Sequence, residues 1–347
     1  MSAPSTPHFR RALFVRLDRI GDLVLSLPTD QALTIDQVDW WIPEGLSFVT
    51  DSALPPRNAA EMPKSIPLTE CYALARLVRE KHYDLAVIFH APWWVSFVIW
   101  LARVPLRIGV QSQWHSFLYL NRAVRQKRSL AEHSELEYNY QLLEKGLGLA
   151  PSSLTRSTLK LRAKSGPQKW LQAGLAASKY VVVHPGMGGS AMNWSTDKYA
   201  DLIHELAHES KVAITGTASD ETFLAPLKKK IAKRDPDLAS RVVWLDSRLS
   251  GTELIDVLQN ARAVIAPSTG VLHLAASTGR PTVGIFSNVK VERALRWGPK
   301  GEHTVIVEPP HSADPATCME LITVPQVLKA LSKLVHETDS SHTSSLR

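Results

Sequence analysis

The stretch RALFVRLDRIGDLVLSLP (residues 11–28) sets Arg16, Asp18, Arg19 and Asp22 around a single glycine, directly after the apolar run 12–15. Four charges in the first turn after a buried strand either solvate a loop or build a site. A second stretch, YVVVHPGMGGSAMNWS (180–195), ends an apolar run in a loop that carries Gly186, Met187, Gly188, Gly189 and Ser190. Glycines admit positive φ and close backbone approach, so such a loop can aim several amides at an anion. A third, AVIAPSTGVLHLAASTGRPTVGIFS (263–287), passes from a strand through Ser268, Thr269 and Gly270 into an apolar helix. Ser268 or Thr269 stands where an N-cap belongs. A diphosphate placed there meets hydroxyls, free amides and the positive end of the helix dipole. His273, in the first turn, can reach the same anion or face the core. The glycine spacing matches neither GxGxxG nor GxxxxGK[ST], which counts against nicotinamide and P-loop chemistry.

The elements that must hold these residues alternate between strand and helix along the whole chain, the signature of parallel sheets wound with helices. In the first half, strands are expected at 11–17, 37–42, 84–90 and 106–110, with helices at 22–34, 69–82, 93–103 and 132–148. The segment 58–68 reads as a loop. Residues 146–168, rich in Gly, Ser and Pro, read as a linker. A second series follows, with strands at 180–184, 211–215, 241–244, 263–266, 281–286 and 304–307. Helices at 196–209, 219–233, 251–260 and 270–278 separate them. Two such series in 347 residues predict an α/β protein of two Rossmann-like domains, 1–160 and 161–325, with the cleft between them as the default site. The polar tail 337–347 reads as disordered.

Net charge is +7, and no acidic residue falls between Asp84 and Glu132. That span holds Arg103, Arg107, Arg122, Arg125, Lys127 and Arg128 among Trp93, Trp94, Trp100, Trp114, Phe117 and Tyr119. Basic residues interleaved with aromatics suit RNA, an anionic membrane surface or an acidic substrate, or simply a solvated face over core aromatics. No RNA-binding motif accompanies them. Cys71 and Cys318 are too few and too far apart for a disulfide framework or a zinc site, which fits a reducing cytoplasm. The apolar N-terminal stretch is broken by charges, unlike a signal peptide. The most apolar segment, 85–102, contains His90 and Pro92 and falls short of a membrane span.

RLDRIGDLVLSLP, HPGMGGSAMNW and STGVLHLAASTGRP, in that order and spacing, resemble glycosyltransferase family 9, the ADP-heptose:lipopolysaccharide heptosyltransferases. The resemblance runs from about residue 10 to 330. It implies a GT-B architecture in which the first domain binds the acceptor and the second the nucleotide-sugar donor, with no metal and no cofactor. It also implies that a last helix, 326–336, returns to the first domain. The acid after the glycine of the first motif, Asp22, becomes the candidate general base of an inverting transfer. Arg16 and Arg19 become candidates to hold an anionic acceptor, with Asp18 pairing with one of them. Asp220 or Glu221 falls where the family places a ribose-binding acid.

The chain departs from the family pattern at two positions. Met192 stands where many members carry a lysine, and Ser268 where they often carry an aspartate. A lysine at 192 would be expected to tighten diphosphate binding. The implied activity is transfer of a heptose or related sugar, with ADP-heptose as donor, to a lipopolysaccharide core or another anionic glycolipid. It would take place in the cytoplasm or at the cytoplasmic face of the inner membrane, without nucleic acid. The alternatives are a transferase with another donor and a non-catalytic sugar-nucleotide or glycan-binding relative.

Overall fold

The computed structural model describes residues 7–164, 168–186, 188 and 191–344, with side chains to residue 340. The chain divides into two compact units between Leu159 and Lys160. The first contains β1 (His8–Arg16), β2 (Thr34–Pro43), β3 (Asn58–Met62), β4 (Leu85–His90), β5 (Leu106–Val110) and β6 (Arg122–Val124). They form one parallel sheet in the order β3-β2-β1-β4-β5-β6. Ala12, Leu13, Phe14 and Val15 are fully buried, because a central parallel strand is covered on both faces and needs an unbroken apolar run. Phe14, Trp40 and Phe89, from three adjacent strands, lie with ring centroids 5.0–6.2 Å apart.

The helix expected at 22–34 is instead two pieces, an α-helix over Ile20–Val24 and a 3-10 helix over Leu27–Ala32 with Pro28 in its first turn. Proline lacks the amide that a continuous helix would need there and is tolerated only at a helix start. The segment read as a loop at 58–68 opens with β3, and β6 had no clear sequence signal. Both are short edge strands, half polar because only one side is paired. The segment after the helix Glu135–Leu147 is pinned rather than free. Arg156 donates to Glu137 (2.7 Å) and Glu144 (2.5 Å) and lies over Tyr140, and Leu154 and Leu159 are buried.

The second unit contains β7 (Tyr180–Val183), β8 (Lys211–Ile214), β9 (Val242–Trp244), β10 (Ala263–Pro267), β11 (Thr282–Ile285) and β12 (Thr304–Val307). Its parallel sheet runs β12-β11-β10-β7-β8-β9, the same winding as the first. Its helices begin where capping chemistry allows. Ser195 accepts the amide of Lys198 ahead of Thr196–Glu209, and Ser250 forms a capping box with Glu253 ahead of Gly251–Gln259. The last helix runs Val324–Ser344, past the expected end at 336 and into the segment read as a disordered tail. Val327, Leu331, Leu334 and Val335 bury its apolar stripe in the second unit's own core, beside Leu206 and Val181. That face is therefore occupied within the second unit.

Candidate active site

In both sheets the winding reverses once, between β1 and β4 and between β7 and β10. At such a point the loops leaving adjacent strand ends diverge and open a crevice where ligands bind. The charged first motif lies at the reversal of the first sheet. Arg16 ends β1 in register with His90 at the end of β4, and Asp22 follows in the helix Ile20–Val24.

Arg16 is only 3% exposed. Its Nε donates to Asp18 at 2.7 Å, its Nη2 donates to Asp22 Oδ1, and both terminal nitrogens lie 3.3 Å from Glu135 Oε1. Glu135, 1% exposed, also accepts from Arg128. With every group ionised, this cluster holds three carboxylates against two guanidinium groups. Burial would draw the Arg16 pKa down, but Asp18, Asp22 and Glu135 together raise it. Asp22 is pushed up to about 6, first by burial, with Asp18 and Glu135 adding and Arg16 opposing. A carboxylate poised there accepts a proton near neutrality without being locked as an acid. Arg16 holds Oδ1, and among the described residues nothing donates to Oδ2.

The geometry divides the two arginines that were expected to hold an acceptor. The Arg16 guanidinium is taken up by three carboxylates, Asp22 among them. Arg19 is exposed at the start of its helix and has no ion-pair partner among the described residues. Asp18 pairs with Arg16, as the sequence allowed. Glu135 was missed, and Arg128 was read only as part of the basic stretch. Glu135 lies 119 residues from Arg16, and no motif or period links them.

The reversal of the second sheet brings the other two motifs side by side, since Val181, Val182 and Val183 on β7 pair with Ala263, Val264 and Ile265 on β10. Gly186 and Gly188 follow β7, while Met187, Gly189 and Ser190 lie outside the described residues. Gly188 has φ +52°, which favours glycine. A Cβ at Gly186 would overlap the Asp220 carboxylate. Asp220 itself accepts from the Gly188 amide (3.3 Å) and from the amide and hydroxyl of Thr217 (2.9 and 2.8 Å). It thus ties the glycine loop to the turn after β8 and is spent there. Glu221, exposed at the start of the helix Glu221–Arg234, is the acid of the two left open. His184, buried at the end of β7, shares a 3.0 Å hydrogen bond with Thr215, and burial lowers its pKa to about 4.

After β10, Ser268 is half-buried and Thr269 is the N-cap of the helix Gly270–Ser277, but the Thr269 side chain makes no capping bond. Among the described residues its buried Oγ1 has no partner, nor has Nδ1 of His273, which is 4% exposed. Burial, with Lys300 adding, lowers the His273 pKa to about 4, so it is neutral at pH 7. Unpartnered buried polar atoms cost about 1–3 kcal/mol each, and a bound anion at this helix start would offset that. Lys300, half-buried and without an ion-pair partner among the described residues, was also missed.

Met192 is half-buried. It packs against the second unit's core, while its amide donates to Glu292 at 3.1 Å. Met192→Lys is therefore expected to leave ADP affinity within about threefold, short of the roughly tenfold or larger gain of a new ion-assisted hydrogen bond. Calorimetric titration of the two proteins with ADP decides between these values.

Two parallel six-stranded sheets of one winding define an α/β protein of the GT-B class. The E. coli ADP-heptose lps heptosyltransferase II structure has the same fold, with TM-score 0.80 and 19% identity over 95% of this chain and 99% of that one. The model of glycosyltransferase family 9 (heptosyltransferase) matches residues 71–320, and the chain belongs to that family. It is a glycosyltransferase. The chain is 25% identical to a putative glycosyltransferase of Haemophilus influenzae over 94% of its length and 96% of the relative's. It is 23% identical to lipooligosaccharide heptosyltransferase 2 of the same organism, over 77% and 80%.

Proposed function

We propose that the protein is an inverting heptosyltransferase that uses ADP-heptose and a lipopolysaccharide core acceptor and needs no metal ion. The observation that carries this reading is the Asp22 carboxylate, held by Arg16 through one oxygen and poised near pH 6 at the reversal of the first sheet. In the proposed step, Asp22 takes the proton of an acceptor hydroxyl. The hydroxyl oxygen bonds to the anomeric carbon from the face opposite the diphosphate, and the bond from that carbon to the diphosphate oxygen breaks. Its electron pair leaves with the nucleoside diphosphate, so the configuration inverts. Arg19 faces the anionic acceptor. On the second unit, the glycine-loop amides, the Thr269 hydroxyl, the start of the helix Gly270–Ser277 and His273 meet the diphosphate, and Glu221 faces the ribose. The choice of ADP-heptose rests on the resemblance to enzymes that are named for it.

The experiment is release of nucleoside diphosphate from a panel of ADP-, GDP- and UDP-sugars, with and without a lipopolysaccharide core acceptor. Acceptor-dependent release should be fastest with ADP-heptose and should survive EDTA. Preference for a GDP- or UDP-sugar would overturn the donor, loss of activity in EDTA the metal independence, and binding without release the catalytic reading. The pH profile is a further expectation. If Asp22 is the base, kcat/KM should fall on the acid side with an apparent pKa near 6, where its carboxylate becomes protonated. A rate that stays flat down to pH 4.5 would exclude Asp22 from that role.

A further inference from the structure

The first unit carries an exposed apolar surface made of residues other than those of the Arg16, Asp22 and Glu135 cluster. The helix Trp93–Leu101 (WWVSFVIWL) has no charged residue. Its inner face, with Trp94, Val95, Val98 and Ile99, is buried in the core, which accounts for only one side of it. On the outer side, Phe97 is the hub of an aromatic cluster, with the rings of Tyr72, Trp93, Trp100 and Tyr119 5.5–6.1 Å away. Trp114, on the helix Trp114–Tyr119, stacks beside Trp93 at 6.4 Å. The outer edge of this cluster is open. Trp114 is 59% exposed, and Phe117 and Leu118 are each 63% exposed. A contiguous exposed patch of this kind marks an interaction site.

The charged residues between 85 and 131 are all of one sign. Arg103 follows the first of these helices, and Arg122, Arg125 and Lys127 follow the second. All four are exposed, and none has an ion-pair partner among the described residues. Two copies meeting through this surface would bring those cations together in a chain that already carries +7. Tryptophan and tyrosine rings with one apolar side and one polar edge settle at the boundary between headgroups and acyl chains. Exposed cations add attraction to anionic headgroups. Among the described residues no helix is long and apolar enough to cross a membrane, so the contact this surface can make is a surface contact.

We propose that this surface docks the protein on an anionic lipid bilayer. Trp114, Phe117 and Leu118 enter the headgroup boundary, and Arg103, Arg122, Arg125 and Lys127 face lipid phosphates. The test is co-sedimentation of the full chain with phosphatidylcholine vesicles, with and without phosphatidylglycerol. No sugar transfer is measured, so the result stands apart from the proposed reaction. The protein should bind the anionic vesicles at least about tenfold more tightly than neutral ones, less so in high salt, and its tryptophan emission should shift to the blue. The exposed variant Trp114→Ala/Phe117→Ser/Leu118→Ser should weaken binding by about tenfold or more. Arg122→Gln/Arg125→Gln/Lys127→Gln should weaken it by about a hundredfold, roughly fivefold per cation. Equal binding of all three proteins, or no binding to anionic vesicles, overturns the proposal. So does a concentration-dependent dimer abolished by the aromatic variant, which would assign the surface to a second copy. A salt-sensitive RNA complex lost in the charge variant, without vesicle binding, would assign it to nucleic acid.

Discussion

Asp22→Asn is expected to lower turnover by about 10²–10⁴ while leaving donor affinity and the fold intact. The asparagine oxygen can still accept from Arg16, but the amide cannot take a proton. Removing one negative charge also leaves two guanidinium groups against two carboxylates, Asp18 and Glu135, in the buried cluster. The stability consequence has a definite sign. The folded protein raises this carboxyl from 3.8 to about 6, so the group favours the fold fully below pH 3.8. That contribution is lost as pH rises through 6. The asparagine variant has no such loss, and its stability relative to the parent should improve between pH 4 and 7. Near-normal turnover in a folded variant would remove Asp22 from the chemistry, and a variant that unfolds at neutral pH would contradict the charge balance described for the cluster.

Arg16→Met should destabilise the first unit by about 3–5 kcal/mol at pH 7.5, because it leaves buried carboxylates without their partner. Asp22 would lose its only side-chain donor among the described residues, and Asp18 its partner at 2.7 Å, while Glu135 would keep Arg128. The stranded carboxyls should then hold protons more tightly in the folded protein, so the deficit should shrink as pH falls toward 5. Arg16→Lys should cost less, since it restores a charge but not the planar fork that reaches three acceptors. Denaturant melts of the three proteins at two pH values measure these differences. A loss below about 1 kcal/mol that does not change with pH would mean that Arg16 is not what holds the cluster.

Much of this could be seen in the sequence, and the particular residues show why. The central strands announce themselves as unbroken apolar runs, because a parallel strand covered on both faces has no polar side to display. The four inner strands of the second sheet lie close to their expected positions for that reason, and its edge strands β9 (VVW) and β12 (TVIV) were legible from their own apolar residues. The edge strands β3 and β6 were hidden, since an edge strand buries less and alternates poorly. Pro28 is visible in the sequence, and it divides the helix expected at 22–34. The last helix misled in a different way. Its tail is polar in composition, yet its stripe at 327, 331, 334 and 335 docks in the second unit's core and carries the helix onward.

The sequence by itself determined two wound parallel sheets, the acid after the first strand, the glycine loop and the helix start that can hold an anion. These are properties of residues close together in the chain, where apolar period and turn chemistry act. The tertiary structure decided what each charge does. It closed Arg16 inside three carboxylates and left Arg19 in the open, spent Asp220 on the glycine loop, and packed a half-buried Met192 against the core. Buried charges choose partners by position in space, and the winding of the sheet sets that position by bringing distant loops to the same strand ends. Glu135 reaches Arg16 across 119 residues of sequence for that reason alone.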